Sequence, residues 1–362
     1  MDTKGDVFMK KRKMISVLLA AALSATMLGG CGSEKNDGAA STGEEINVYA
    51  WVEEIPDELI EDFEKETGIK VNLSTFSSNE EAIAKIEASP AGTYDIVGPS
   101  DYAIEEMIEA GYLQSFDVSS LSNYDNLKDI YKNPDYDPEG QYAVPLVGGM
   151  IIGCVNTDYY DGEITSMEDF LDPAFANNLV MVDDFRGIIG MVAKSMGYSL
   201  NETDAEKLAE IQVELMKYKS QVKILDSDSP KMALINGEVI GGICWSEEVA
   251  IAMAEDDAIK PVFFDDGGQI FTDALCIVKG TEHEEACKKF LDYVLKPEST
   301  ELLMGEYPYL NPNKAAEEIL PADYLNNLAS NPSDEIIALQ ERTKNIGTTV
   351  DIYTDMWNEF TK

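Results

Sequence analysis

The feature that most restricts the fold of this sequence is a regular exchange of strand-like and helix-like segments that begins at Ile46. Short runs of β-branched and aromatic residues predict buried strands, and each is followed by apolar residues at helical spacing. In the first half, strands are predicted over 46–51, 69–76 and 94–98, and helices over 56–67, 79–88 and 101–110. Strands and helices that alternate at this spacing predict βαβ units and a mostly parallel, helix-covered sheet.

The alternation returns in the second half of the chain, which predicts a two-lobed α/β protein. Strands are predicted there over 179–182 and 239–244, and helices over 185–196, 204–218 and 247–254. Apolar extended runs near 142–155 and 260–278 are expected to cross between the lobes. We therefore expect one lobe from 46–149 and 272–316 and the other from 150–271 and 317–362. Each lobe is predicted to be a mixed, mostly parallel sheet flanked by helices, and two crossing strands are predicted to join them.

The first thirty residues predict a targeting signal rather than a part of the fold. A basic run at 10–13 precedes an apolar run over 14–28, which is too short to span a membrane comfortably and typical of a signal peptide. The predicted signal, residues 1–30, ends in Leu28-Gly29-Gly30-Cys31, which resembles a bacterial lipobox. That resemblance implies a lipid on Cys31 and a polar tether over 31–45. An ordinary cleaved signal with a chance cysteine is the alternative.

The charge and the histidine content exclude several classes of function. Lys and Arg number 27 against 68 Asp and Glu, which gives a formal net charge of −41. A surface this acidic repels phosphate groups, so nucleic acid is not expected as a partner. His283, the single histidine, lies in a charged segment that reads as a solvated helix face. A catalytic triad or a multi-histidine zinc site is therefore not expected.

The cysteines that follow Cys31 show no metal-binding spacing. None of the four forms a Cys-x-x-Cys pair, which argues against a thiolate zinc site or a redox motif. They lie in or beside apolar runs and are expected to be buried thiols, although a disulfide stays open. They are Cys154, Cys244, Cys276 and Cys287. The sequence thus predicts neither a metal nor a cofactor.

Five predicted strand ends combine an aromatic residue with a nearby carboxylate. The pairs are Trp51 with Glu53, Tyr102 with Asp101, Phe185 with Asp184, Trp245 with Glu247, and Phe271 with Asp273. Ligands of open α/β sheets bind beyond the carboxyl ends of the strands. Aromatic faces attract ammonium groups and carboxylates form charge-assisted hydrogen bonds to them, so the combination suits an aliphatic polycation. Taken singly, a tryptophan there is commonly core, and Asp184 is equally well placed to cap a helix.

At these residues the sequence resembles the solute-binding proteins of bacterial polyamine ABC transporters. The resemblance runs from about residue 46 to the C-terminus. Its most specific segments are Val48-Tyr49-Ala50-Trp51, the nine residues 63–71, the nine residues 94–102, and Tyr307-Pro308-Tyr309-Leu310-Asn311-Pro312-Asn313. It implies the type II periplasmic-binding-protein fold, in which two α/β lobes close on a ligand. It also implies capture of putrescine or spermidine outside the cytoplasm, on a lipid-anchored protein that delivers it to ABC permease subunits. We expect a monomer.

The same resemblance assigns a ligand-binding site. It implies that Trp51 and Trp245 form two walls around the polyamine and that Glu53 and Asp273 hold ammonium groups. The full set is Trp51, Glu53, Ser100, Tyr102, Asp184, Trp245, Glu248, Phe271, Asp273 and Tyr307.

The sequence departs from the family pattern at several of these positions. Gly187 stands where spermidine-type members carry Glu, Phe271 where Trp is typical, and Thr343 where a Gln is expected. Glu248 falls where putrescine-type members place an acid. These departures leave the choice between putrescine and spermidine open.

Two other functions are compatible with parts of the sequence. The adjacent acids Asp183/Asp184 or Glu247/Glu248 could perform acid–base chemistry as in glycosidases. Neighbouring residues rarely point at one bond and no activating partner is evident, so enzymatic activity is not expected. The second alternative is the same fold with another organic cation or small solute.

Overall fold

The computed structural model describes residues 43–362. These residues form ten strands and twelve α-helices, in the alternating order that the sequence predicted for much of the chain. The signal peptide, Cys31 and most of the predicted tether lie outside these described residues. The strands are β1 Glu45–Trp51, β2 Lys70–Phe76, β3 Ile96–Gly98, β4 Ala143–Asn156, β5 Leu179–Met181, β6 Val222–Leu225, β7 Gly241–Trp245, β8 Ile259–Val262, β9 Gln269–Ile277 and β10 Glu341–Arg342. The helices are α1 Asp57–Thr67, α2 Asn79–Ala88, α3 Asp101–Ala110, α4 Phe185–Ser195, α5 Ala205–Tyr218, α6 Lys231–Ile235, α7 Ser246–Glu255, α8 Glu284–Val294, α9 Pro297–Glu306, α10 Ala322–Asn326, α11 Asp334–Ala338 and α12 Val350–Thr361.

The strands form one mixed sheet in the order β2-β1-β3-β9-β4-β7-β5-β6, with β10 beside β9 and β8 beside β4. At one end β1 is parallel to β2 and β3, and at the other end β5 is parallel to β6 and β7. The two long strands β4 and β9 are antiparallel to each other in the middle, with Ala143 opposite Cys276 and Met150 opposite Ile270. Two parallel α/β units are thus joined by two crossing strands, which confirms the predicted fold class.

Two of the shorter elements, β6 and α6, were not predicted from the sequence. Strand β6 has four residues, and none of them is fully buried. It lies at the edge of the sheet, so its side chains lack the apolar pattern of a central strand. Helix α6 spans only five residues, which is too short to show a helical period.

Helices cover both faces of the sheet around β1. Side chains alternate between the two faces of a strand: Val48 packs in one core and Tyr49 in another. In the first of these cores Phe63 of α1 meets Phe290 of α8 with ring centroids 5.0 Å apart. In the second, Tyr49 packs edge-on against Phe76. Side chains on both faces of β1 are therefore buried in hydrophobic cores.

A separate core fills the other end of the sheet. It includes Phe170 and Phe175 beside β5, Tyr218 of α5 and Tyr353 of α12, all fully buried. The predicted lobe boundaries themselves stay a prediction. Near the last of them the two cores overlap along the chain: Leu310 and Ala329 pack in this core, whereas Leu320 and Tyr324 pack in the first-lobe core.

The four cysteines that the structure describes are buried and unpaired, as expected. None of the described helices combines the length and the apolar character that crossing a membrane would require.

Gly149 in β4 lies opposite Phe271 in β9, and the Phe271 ring rests directly on its backbone. A Cβ atom at this position would overlap the ring. We expect Gly149→Ala to lower the free energy of unfolding by about 1–3 kcal/mol through overpacking at the crossing strands. Thermal or chemical unfolding measures the change.

Gly305→Ala in α9 is the matched control, since nothing lies within 4 Å of its Cβ position. It should leave stability unchanged or raise it by up to about 1 kcal/mol. Equal effects of the two substitutions would contradict close packing at Gly149.

Candidate functional site

A cavity of about 190 Å³ opens where the crossing strands meet the ends of the parallel strands. All ten predicted site residues line it. The other lining residues that matter below are Asn79, Glu80, Asp101, Asp183, Asp228, Glu247, Gln269 and Tyr309. The structure therefore brings the predicted residues together at one place, while their part in ligand binding stays a prediction.

Strand direction explains why residues from distant parts of the chain meet here. The parallel strands β1 and β3 end at the same edge, which places Trp51 near Ser100. Strand β9 runs antiparallel to β3, so that its beginning lies beside the end of β3. Ser100 and Asp273 form an isolated β-bridge at that junction. On the other side, β7 delivers Trp245 and the first turn of α7 to the same cavity.

The aromatic side chains of the cavity are held by neighbouring rings. Trp51 packs against Phe76 with centroids 4.8 Å apart. Trp245 meets Phe271 edge-on, at 5.5 Å and 82°, and its indole Nε1 donates to the Ser227 carbonyl at 3.2 Å. Trp51 Nε1, by contrast, is buried without a hydrogen-bond partner. Two indole rings fixed at separate points of one cavity can form two walls.

The charge of the cavity lining is entirely negative. Nine carboxylates line it, and none of the described lining residues is Lys, Arg or His. The nine are Glu53, Glu80, Asp101, Asp183, Asp184, Asp228, Glu247, Glu248 and Asp273. Such a lining attracts cations and repels anions. No described group of Asp, Glu, His or Cys side chains has the arrangement of a metal site.

Two of the predicted carboxylates already have partners. Asp184 caps α4 by accepting a hydrogen bond from the Gly187 backbone N–H at 2.6 Å. Burial raises its pKa to about 6, although this hydrogen bond acts in the opposite direction. Glu248 accepts a hydrogen bond from Lys231 Nζ at 2.5 Å. Asp184 is thus the N-cap of α4, one of the two roles that its sequence position predicted. The negative charge of Glu248 is balanced by the positive charge of Lys231.

Asp273 is the predicted site carboxylate that has a buried oxygen without a hydrogen-bond partner. It is 6% exposed, and its Oδ1 atom has no hydrogen-bond partner. Burial raises its pKa to about 7, against a hydrogen bond with Ser100 that favours the ionised form. Burial also raises the pKa of the neighbouring Asp101 to about 6, even though Arg342 Nη1 lies 3.4 Å from its Oδ2.

Tyr102 lies between a carboxylate and a guanidinium. Its hydroxyl donates to Glu80 Oε1 at 3.1 Å, and the Arg186 guanidinium lies 5.5 Å from its ring centroid. Arg186 also contacts the Tyr353 ring and donates to the Lys344 carbonyl at 3.1 Å. This arginine is not a lining residue, but it lies behind Tyr102 and its charge lowers the pKa of the lining residue Asp184.

The geometry around Gly187 accounts for one departure from the family pattern. A Cβ atom there would overlap Ile151 Cδ1 and come 2.6 Å from Gln269 Oε1. Gln269 in turn donates to Thr343 Oγ1 at 2.9 Å. Gln269 occupies the space beside the Gly187 backbone, so a glutamate at 187 would need this pair to move.

Sequence reasoning left Tyr309 and Glu247 out of the ten site residues, although Glu247 was named as a strand-end acid, and both line the cavity. It also passed over Glu54, which does not line the cavity but lies near Asp273. Glu54 and Glu247 each adjoin a carboxylate that was chosen, and the sequence gives no sign of which neighbour turns inward. Tyr309 lies within the Tyr307-Pro308-Tyr309 segment, so a signal for it was present. Its hydroxyl group lies near Glu247, Glu54 and Asp273, whose charges add to burial in raising its pKa.

Comparison with known proteins gives consistent matches over most of the chain. Residues 58–331 match the family described as "Bacterial extracellular solute-binding protein". A spermidine/putrescine-binding periplasmic protein of Salmonella typhimurium is 32% identical over 321 residues, which cover 88% of this chain and 92% of that protein.

Two solved structures share the fold over 88% of this chain. One, described as a putative spermidine/putrescine ABC transporter from Listeria monocytogenes, has a TM-score of 0.83 at 29% identity and is covered over 99% of its length. The other, the spermidine/putrescine ABC transporter substrate-binding protein PotD from Streptococcus pneumoniae, has a TM-score of 0.78 at 26% identity and is covered over 98%.

The raised pKa of Asp273 predicts a pH-dependent stability of the unliganded protein. An unfolded Asp titrates near pH 3.9, so between about pH 4 and pH 7 the folded state binds more protons than the unfolded state. The free energy of unfolding should therefore fall as the pH rises through this window. Asp273→Asn removes this contribution, so it should gain about 1–3 kcal/mol relative to wild type between pH 4 and pH 7.

Denaturant unfolding at several pH values measures this difference. Asp228→Asn, an exposed carboxylate of the same cavity, is the control and should follow the wild-type curve. If the free energy of unfolding changed with pH in the same way for wild type and Asp273→Asn, the raised pKa of a buried Asp273 carboxyl would be contradicted.

Proposed function

The chain belongs to the bacterial extracellular solute-binding proteins, in the group of the spermidine/putrescine-binding periplasmic proteins, and on this premise we propose that it captures a polyamine in its cavity for import by an ABC transporter. The relatives named above are described as binding spermidine and putrescine or as parts of ABC transporters. We propose the same ligand class for this chain and no enzymatic activity.

The observation that carries this proposal is the pairing of seven aromatic side chains with nine carboxylates in a cavity without a basic lining residue among those described. The aromatic residues are Trp51, Tyr102, Phe185, Trp245, Phe271, Tyr307 and Tyr309. A polyamine is an alkyl chain that carries two or more ammonium groups. Its methylene groups can lie between aromatic faces while its ammonium groups reach the carboxylates. Sugars and anions lack this combination.

We propose distinct roles for the residues that line the cavity. Trp51 forms one wall, and Trp245 with Phe271 forms the other. Asp273 holds an ammonium group with its free oxygen, and the exposed Glu53 holds a second one nearer to solvent.

Four further side chains support the ligand in this proposal. Ser100, Tyr102 and Tyr307 add hydroxyl and ring contacts, and Asp184 lies beside the polyamine chain while it caps α4. Glu248 contributes less charge than the sequence alone suggests, because Lys231 already binds it.

We further propose that a lipid on Cys31 holds the protein at the outer face of the cell membrane, within the periplasm if an outer membrane exists. The lipobox-like sequence before Cys31 and the polar segment after it support this anchor. The permease subunits of an ABC transporter are the proposed partners. We propose a monomer as the working form.

Isothermal titration calorimetry with putrescine, spermidine, spermine, choline and a sugar panel tests the ligand class. We expect binding of at least one polyamine, and a micromolar Kd would correspond to about −8 kcal/mol. Asp273→Asn should weaken that binding by about 30- to 1000-fold at pH 8, because the ammonium would lose its charged partner.

Glu61→Gln, on the exposed face of α1 and outside the cavity, serves as the control and should bind as wild type does. Binding of choline or a sugar in preference to every polyamine would reject the ligand class. Unchanged polyamine affinity in Asp273→Asn, together with a lowered melting temperature, would give Asp273 a structural role only.

The anchor is tested by Cys31→Ala in the full-length precursor. We expect the variant to lack lipid and to appear in the soluble fraction or as unprocessed precursor, whereas wild type stays with the membranes. Fractionation with a high-salt wash and metabolic labelling with a fatty acid measure both properties. A variant that remains membrane-bound after the wash and has lost its signal peptide would contradict the lipid anchor.

A further inference from the structure

Glu54 is a buried carboxylate that the proposed function does not use. It is 1% exposed, and neither of its carboxylate oxygens has a hydrogen-bond partner. The preceding residue, Glu53, is exposed and has a φ of 56°, in the left-handed region that non-glycine residues seldom adopt. This backbone conformation separates the two neighbours, so that Glu53 faces solvent and Glu54 the interior. A strained backbone at Glu53 next to a buried, unpaired carboxylate at Glu54 calls for a functional explanation.

Two carboxylates that line the cavity share this condition. Asp273 in β9 is 6% exposed with Oδ1 unpartnered, and Glu247 in α7 is 7% exposed with Oε2 unpartnered. Glu54 and Glu247 both interact electrostatically with Asp273. Asp273 and Glu247 thus line the cavity with unpartnered oxygens. Glu54 is not a lining residue, but it lies close enough to Asp273 for their charges to interact.

The surrounding charged groups do not neutralise this trio of Glu54, Glu247 and Asp273. The hydroxyl of Tyr309 lies near all three acids. A neutral phenol has a single O–H donor and no positive charge, so it cannot neutralise them. Two more acids adjoin the trio and form the salt bridges with nearby basic groups, Lys231 with Glu248 and Arg342 with Asp101. The charge of Lys231 also lowers the pKa of Glu247, but by less than Glu248 and Asp273 each raise it. None of the trio takes part in a described salt bridge.

An empty cavity cannot keep three such carboxylates ionised at low cost, because burial and mutual repulsion both favour the neutral acid. Burial raises the pKa of Glu54 well above its ordinary value, and the charge of Asp273 raises it further. Burial likewise raises the pKa of Glu247, with Glu248 and Asp273 adding to the effect. The unliganded trio therefore favours the protonated form more strongly than freely exposed carboxyl groups do.

We infer that Glu54, Glu247 and Asp273 form an inner subsite for one primary ammonium group of the ligand, and that the subsite releases protons when this group enters. This inference rests on the proposed function and adds Glu54 and Glu247 to its ligand contacts. On binding, a carboxylic acid O–H in the trio gives its proton to solvent. The ammonium group then supplies the positive charge that the proton supplied before, and it remains protonated throughout.

The number of donors favours a primary ammonium group. A primary ammonium has three N–H donors, and the trio offers unpartnered oxygens on three side chains. A tertiary ammonium has one N–H donor and a quaternary ammonium has none. A ligand that enters with a primary amine can therefore contact the whole trio.

Calorimetric titration of putrescine in buffers of different ionisation enthalpy measures the protons released. At pH 6.5 we expect wild type to release about one proton per ligand, and its affinity should weaken about tenfold from pH 8 to pH 6. Glu54→Gln should release fewer protons and show a flatter pH dependence. Its affinity should be at least about tenfold below wild type at pH 8, and the two proteins should converge toward pH 6.

Glu61→Gln on the exposed face of α1 makes the same change of charge and should behave as wild type. Melting curves verify that each variant folds, and Glu247→Gln carries the same expectation if Glu54→Gln does not. N,N,N′,N′-tetramethylputrescine keeps both charges and the chain length of putrescine, and we expect it to bind at least about 100-fold more weakly.

The possible failures are distinguishable. Binding of putrescine with the same enthalpy in every buffer would overturn this inference and leave the proposed function intact. Wild-type proton release and affinity in Glu54→Gln, or equal affinity for the tetramethylated diamine, would also overturn it. The absence of binding to any polyamine at either pH would overturn the proposed function together with the inference.

Discussion

The antiparallel pairing of β4 with β9 is the constraint on which the rest of the structure depends. The sheet order is linear, so among the described strands this pair alone joins β3 on one side to β7 on the other. The register shifts between Pro145 and Val147, where proline cannot donate a backbone hydrogen bond. Immediately beyond the shift, Val147 lies opposite Asp273 and Gly149 opposite Phe271. The link between the two halves thus also positions two central residues of the cavity.

The stability of the fold and the charge of the cavity oppose each other. The apolar cores favour folding, whereas each buried carboxylate without a partner costs about 1–3 kcal/mol or more. Lys231 and Arg342 offset this cost at Glu248 and Asp101, and the Gly187 backbone N–H does so at Asp184. Asp273 and Glu247, which line the cavity, each keep an unpartnered oxygen. A cation that enters there removes a cost that the protein otherwise carries, so binding and stability are coupled at that point.

The sequence predicted the elements and the site edge well because both follow from periodicity and strand direction. Helices such as α1 and strands such as β9 have long apolar patterns, and the ends of parallel strands must meet. What it could not predict is which of two adjacent acids is paired, exposed or buried. Glu53 is exposed and has left-handed backbone angles, whereas its neighbour Glu54 is buried. Glu248 differs from Glu247 in its salt bridge with Lys231, which lies 17 residues before it in the sequence. Such differences depend on tertiary contacts that no local pattern records.

The three unpaired acids are not equivalent, and the difference comes from their secondary structure. Glu247 lies in the first turn of α7, where the free backbone N–H groups of the helix favour negative charge. Asp273 has a hydrogen bond with Ser100. Glu54 lies outside any helix, and the Trp51 backbone is the neighbouring group that favours its ionised form. In the unliganded protein a different group therefore favours the ionised form of each acid: a helix N-terminus for Glu247, Ser100 for Asp273 and the Trp51 backbone for Glu54. An arriving ammonium group adds the positive charge that none of these neutral groups supplies.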